Sequence, residues 1–335
     1  PNLSNVQTIM IGIKNPKKKN TTDSDDGLQK TGEIWVNELR LTNFDEKGGW
    51  AARARMTTKL ADFGSVTVTG STSKPGFGSI SQKVSERQKE DIYSYNVSSN
   101  LQLGKFFPKD AGVRIPMYFG VSESVKNPEY NPLDPDIPFK VALNDPKRSK
   151  EEKDSLKHIA QDYTQRKSVN FTNVKINKME GQPKIYDLSN WSVSYSYNET
   201  FHRNINTEFD RNKQISGALS YNYNATPKNV KPFKNVKFLN KPAFRLIKDF
   251  NFFYLPSQLS FRTNLTRDYR EIQTRNIENP LMQIPLSVNK NFLWTRQYDM
   301  KYNFSRSLKF DLSATNNARI DEPEGRLWEG DPYYN

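Results

Sequence analysis

Only two imidazoles are available in this 335-residue chain, His158 and His202, so any chemistry that needs a histidine must use one of them. They stand far apart in sequence, and neither has a second ligand at the spacing of a zinc site. The acidic run DSDDG at 23–27 resembles a calcium loop, but its glycine is the fifth residue where such a loop needs the sixth, and no glutamate follows at the twelfth. A solvated acidic loop is the better reading. Asp134 and Asp136 in NPLDPDIPF carry the charge for a cation, yet the flanking prolines favour a rigid turn. The chain has no cysteine, which removes disulfides, thiolate metal sites and cysteine nucleophiles together. Spacing brings out no nucleophile–base pair, phosphate loop or paired carboxylates. The residues therefore predict no enzyme, no cofactor and no metal.

The triplets Asn96-Val97-Ser98, Asn170-Phe171-Thr172 and Asn198-Glu199-Thr200 have the form of glycosylation acceptors. A spacing of two also puts both polar residues on one face of a strand, so a wetted strand face produces such triplets by itself. The surrounding sequence supports that origin. In WSVSYSYNETF, residues 191–201, Trp191, Val193, Tyr195, Tyr197 and Phe201 share one parity, and Ser192, Ser194, Ser196, Asn198 and Thr200 the other. Trp50, Ala52, Ala54, Met56, Thr58 and Leu60 likewise oppose Ala51, Arg53, Arg55, Thr57 and Lys59. Alternation recurs over 50–60, 63–73, 91–103, 113–123, 168–177, 191–201, 214–223, 259–269, 292–304 and 307–316, which makes ten candidate strands.

A soluble β-sandwich alternates too. Strands of about 10 to 13 residues are long beside the roughly 5 to 6 of globular proteins. At about 3.3 Å per residue, eleven residues tilted by some 40° span near 28 Å, the height of a bilayer's hydrocarbon core. Tyr, Trp and Phe enrich the apolar parity as in an interfacial girdle. The pattern therefore favours an antiparallel transmembrane β-barrel segment over a soluble all-β protein. No apolar run approaches the roughly 18 residues of a membrane-spanning helix.

The connections are expected to alternate, short after the first, third, fifth and ninth strands and long after the second, fourth, sixth and eighth. The exception is the proline- and aromatic-rich stretch 224–258, expected either to fold onto the barrel end or to mark a slip in parity. Within the loop 124–167, Asn144 suits an N-cap and Pro146 a first helical turn, with Leu156, Ile159, Ala160 and Tyr163 as a helical stripe. Residues 1–42 read as the terminal hairpin of a β-sandwich domain, joined through Gly48-Gly49 to a barrel wall over 43–335. Pro1 falls within strand-like sequence and Asn335 after a loop-like stretch, so the chain reads as an internal segment of something longer. Lys plus Arg number 50 against 37 Asp plus Glu; the +13 charge favours anionic partners such as lipid headgroups, lipopolysaccharide or nucleic acid. Strand alternation spreads those cations around a surface instead of gathering them in one stripe, which disfavours nucleic acid.

GEIWVNELRLTNFDEKGGWAARARMTTKLADFGSVTVTGST, followed by GFGSI, YNVSSNLQLGKFFP, RIPMYFGVS and NPLDPDIPF, resembles the Sov/SprA family of Bacteroidota. That family supplies the outer-membrane translocon of type IX secretion and is needed for gliding. The resemblance implies that 43–335 are an arc of a very large single-chain barrel in the bacterial outer membrane. It implies a water-filled pore lined by Arg53, Arg55, Lys59, Ser94, Asn96, Ser98, Ser192, Ser194, Ser196, Asn198 and Lys301. Lipid would then meet Trp50, Met56, Tyr93, Tyr95, Ile115, Met117, Phe119, Trp191, Val193, Tyr195, Tyr197, Tyr302 and Phe304. The implied partners are cargo proteins with C-terminal signal domains, a PorV-type shuttle barrel, a periplasmic plug protein, and outer-membrane lipid and lipopolysaccharide. A soluble β-rich cell-surface adhesin is the alternative.

Overall fold

The computed structural model describes residues 8, 10–12, 31–37, 48–83, 86–178, 181, 184–236, 238, 241–279 and 281–326. Ten long strands dominate: β1 (Ala51–Leu60), β2 (Gly64–Ser73), β3 (Glu90–Gln102), β5 (Pro116–Pro128), β8 (Asp162–Ile176), β9 (Trp191–Arg203), β10 (Thr207–Asn224), β13 (Gln258–Thr274), β14 (Ser287–Asn303) and β15 (Lys309–Ile320). Each is antiparallel to its neighbour, in the order in which the chain reaches them. The sheet is open: β1 forms one edge, β15 the other, and they do not pair with each other. The fold is all-β, as the period-two pattern predicts. Five short strands complete it: β4 (Val113–Arg114), β6 (Tyr130–Asn131), β7 (Asp134–Pro138), β11 (Asn229–Val230) and β12 (Phe252–Phe253).

Several strands outrun their sequence expectation. β10 begins at Thr207, not at 214, because Arg211 and Lys213 hide the alternation there. The turn from β9 to β10 is thereby reduced to residues 204–206, closed by Asn204 Oδ1 accepting from the Asn206 and Thr207 amides. This breaks the expected short-and-long alternation at one connection: 204–206 is short at the end of the sheet that also carries 129–161, while 225–257 is the expected exception at the other end. Gly49 is less a hinge than a close approach, since a Cβ there would lie 2.2 Å from the Phe77 amide nitrogen. The hairpin expected over 1–42 falls mostly outside the described residues, and residues 10–12 and 31–37 belong to no strand.

In the connection 129–161 there are two helices, α1 (Phe139–Asn144) and α2 (Lys150–Ala160). Asn144 ends the first instead of capping the second. Ser149 caps α2, its hydroxyl accepting from the Glu152 amide at 3.2 Å while the Glu152 carboxylate accepts from the Ser149 amide at 2.8 Å. Of the expected stripe, Leu156 and Ala160 are buried and pack with Phe139 and Ala142, whereas Tyr163 belongs to β8. This cluster is small for a chain of this length. The large sheet itself has no second layer stacked on it among the described residues.

Candidate functional site: the two faces of the sheet

Directly paired residues of an antiparallel ladder share a face, so register alone sorts the side chains. Starting from Trp191, the pairs Trp191–Tyr221, Tyr221–Phe261 and Phe261–Tyr298 carry one face across four strands. Val193 pairs with Leu219, Tyr195 with Phe171, Phe171 with Met117, and Met117 with Leu101. Met56 pairs with Val68 and Val68 with Val97. One aromatic and aliphatic face thus runs unbroken from β1 to β15, where Phe310 and Leu312 pair with Tyr302 and Met300. The strand residues Met56, Tyr93, Tyr95, Met117, Phe119, Trp191, Val193, Tyr195, Tyr197 and Tyr302 lie on it. Trp50 precedes β1 in the same frame, Ile115 sits in the break between β4 and β5, and Phe304 lies in the turn after β14.

The opposite face has another chemistry. Thr57, Thr67, Ser98, Gly120, Ser168, Asn198, Gln214, Asp268 and Asn291 form one register row across nine strands, and none is aliphatic or aromatic. Arg53, Arg55, Lys59, Ser94, Asn96, Ser192, Ser194, Ser196 and Lys301 share that face. Hydroxyls pair across it, as in Ser71–Ser94 at 2.6 Å and Thr57–Thr67 at 3.2 Å. Tyr118 and Leu293 are among its few aromatic or aliphatic side chains.

A bulge keeps the faces pure. Phe171 pairs with Tyr195, but the next apolar pair is Val174 with Val193, so β8 spends one extra residue there. Asn173 takes φ 55° and donates its amide to Ser194 Oγ at 2.9 Å. Without that residue Val174 and Ile176 would turn to the polar side.

Much of the apolar face is left exposed, with Trp50 55% accessible, Met56 66% and Val193 49%, while Tyr221, Tyr223 and Tyr269 are buried towards strand ends. At one end of the central strands it gives way to ionised groups that the sequence pattern did not single out. Arg211 lies 3.1 Å from Glu271 and 3.5 Å from Glu199, and Arg326 reaches Glu271 at 3.0 Å from beyond β15. Nearby, Arg267 pairs with Glu322 at 2.8 Å. At the end of the sheet near α1, buried Asp91 binds Lys74 at 2.7 Å and Lys140 at 3.5 Å. The Asp91 carboxylate and the Tyr93 hydroxyl beside Lys74 hold its ammonium above the usual lysine value. Among the described residues no group of three or more His, Cys, Asp and Glu is placed to hold a metal; the His202 ring lies 3.1 Å from the Thr164 hydroxyl, and the His158 carbonyl accepts from Arg203.

Among curated proteins none matches the chain. Residues 1–143 match the family model SprA_N, described as motility related/secretion protein. That stretch holds GEIWVNELRL, the GGWAARARMTTKL strand and NPLDPDIPF, the motifs of the Sov/SprA resemblance, and the match over those residues indicates a motility- or secretion-related protein.

Proposed function

We propose that the chain is an arc of the wall of a protein-conducting outer-membrane barrel, which exports folded cargo in type IX secretion and supports gliding motility. The aromatic face meets lipid and the Ser, Asn and Thr face meets a water-filled lumen. One observation carries this reading: an apolar face runs over ten strands with no second sheet stacked on it among the described residues, and connections cover it only towards strand ends, at Tyr221, Tyr223 and Tyr269, where a soluble sandwich would bury the whole of it.

The slant of the apolar band supports it. The register carries Val97 of β3 through Val121, Lys167, Glu199, Lys213 and Tyr269 to Lys290 of β14. The apolar stretch of β3, Tyr93 to Leu101, centres on Val97, whereas that of β14, Phe292 to Tyr302, centres on Gln297. The band has slid by about seven residues, or roughly 23 Å at 3.3 Å each, over six strand spacings of about 4.8 Å. That ratio corresponds to strands inclined about 40° to the normal of the band, inside the roughly 35–45° tilt of membrane barrels.

Conduction in this reading is passive. A wall of hydroxyls and amides stays hydrated and offers a folded surface no apolar grip. Ten strands closed on themselves would enclose a backbone ring only about 20 Å across, largely filled by side chains, while a folded 100-residue domain is about 30 Å across. The open edges β1 and β15 leave room for further strands from elsewhere in the protein. Cargo with C-terminal signal domains, a PorV-type shuttle and a periplasmic plug would supply delivery and gating, with lipid and lipopolysaccharide outside.

Photo-crosslinking residues placed in the complete protein in its own cells test this. At Ser98 the probe should capture exported proteins, and at Val97 it should not. Extraction of the protein without detergent, or cargo adducts from Val97 alone, would overturn the reading.

A further inference from the structure

The connection 225–257 is the stretch that neither face explains. It contains Lys228, Lys231, Lys234, Lys237, Lys241, Arg245 and Lys248 against a single acid, Asp249, so it supplies +6 of the chain's +13. The equally long connection 129–161 is nearly balanced, with six Lys and Arg against seven Asp and Glu. Large apolar side chains stand out between the cations: Leu246 is 90% accessible, Phe238 68% and Phe250 52%. A connection that only closed a loop would not expose them.

Its position is fixed at both ends. The β11–β12 ladder pairs Asn229 with Phe253 and Val230 with Phe252. The Phe253 amide donates to Phe304 O at 3.2 Å, the Tyr302 hydroxyl donates to Phe253 O at 2.8 Å, and Asn251 Oδ1 accepts from the Arg306 amide at 2.9 Å. Tyr302 and Phe310 belong to the apolar face, and Phe304 packs against both, at 4.6 and 6.2 Å between ring centroids. The segment is thus tied to the rim where the apolar face ends, and there Phe250 packs with Phe233 and Phe252 at 6.3 and 6.1 Å between ring centroids.

We propose that residues 225–257 form an interfacial anchor, which lays its aromatics among the acyl-chain ends and its lysines against the phosphates of anionic lipid headgroups. The inference rests on the membrane-wall reading. Charge complementarity and continuity with the apolar face select a membrane surface over an acidic protein, which would match the cations and leave Leu246 and Phe250 wet. Aromatic and basic side chains at one level are the chemistry of the bilayer interface.

The cysteine-free sequence allows single-site labelling. In the complete protein reconstituted into vesicles, an environment-sensitive dye is attached at Leu246→Cys and, separately, at Tyr195→Cys. Phosphatidylcholine vesicles are compared with vesicles containing phosphatidylglycerol, each carrying shallow or deep lipid-borne quenchers. The Leu246 site should be quenched by the shallow quencher, more strongly with phosphatidylglycerol. The change of Lys228, Lys231, Lys234 and Lys241 to Gln should remove that difference, each lysine weakening attachment about five-fold at low salt. Quenching at Tyr195 with none at Leu246 overturns this inference and leaves the wall reading standing. A dye at Leu246 shielded from aqueous iodide yet untouched by either lipid quencher would mean a protein covers the segment, and also overturns it. Loss of quenching at Tyr195 sinks the wall reading itself.

Discussion

At the scale of single residues, the two faces predict opposite tolerance. Phe119 pairs with Ser99 and Val169 within the apolar face, and Phe119→Arg should cost about 2–4 kcal/mol if it lies near the bilayer midplane. Arg55→Ser, on the polar face opposite Thr69, should change stability by less than about 0.5 kcal/mol. Urea titration of the protein folded into vesicles measures both, and a larger loss for Arg55→Ser would reverse inside and outside. Asp91 gives a second case. It is buried and holds Lys74 and Lys140, so Asp91→Asn should loosen α1 by about 1–3 kcal/mol, read as faster hydrogen exchange over 139–144. The raised value of Lys74 fixes the sign with pH. Its contribution is complete below the ordinary lysine value near 10.4 and fades as pH rises through the folded one. Proteolysis of the connection 74–89 should therefore be unchanged below the ordinary lysine value and accelerate only as pH rises above it.

The elements show where side-chain pattern suffices and where it does not. All ten long strands are legible because burial of one face imposes a period of two, and Trp191 to Tyr197 state it without interruption. Ends are less legible: Arg211 and Lys213 share the apolar parity, but Arg211 pairs with Glu199 and Glu271 and Lys213 stands opposite Glu199 in the register, so polarity and face part company there. The helix start is ambiguous in sequence because Asn144 and Ser149 both have capping chemistry, and only the Glu152 reciprocal bond distinguishes them. Ser149→Ala should cost α2 about 1 kcal/mol, visible as fraying by hydrogen exchange. The bulge at Asn173 was invisible for another reason, since an extra residue shows in sequence only as a broken alternation. Deleting Asn173 should turn Val174 to the polar face, so a cysteine at that position should become reactive to aqueous reagents only in the deletion variant. An unreactive Val174→Cys in both forms would mean the register repairs itself elsewhere.

For the whole molecule, the proposed function makes the open sheet, with its polar and its apolar face, part of a larger wall, and the slant of the apolar band gives the tilt of its strands. The pairing order made the long-range topology readable from chain order alone, because each strand pairs with the next long one. The long connections were not readable in that way: their folds rest on single contacts such as Tyr302 to Phe253, which no periodicity encodes. The claim on which the rest depends is that adjacent residues of one strand meet water and lipid. Ser194 and Tyr195 test it side by side in a chain with no native cysteine to confuse the readout. Cysteines introduced singly at these positions in the complete protein, in intact membranes, are exposed to a membrane-impermeant maleimide. The account predicts rapid labelling at Ser194 and protection at Tyr195 until detergent is added; equal labelling of both, or the reverse order, would contradict it.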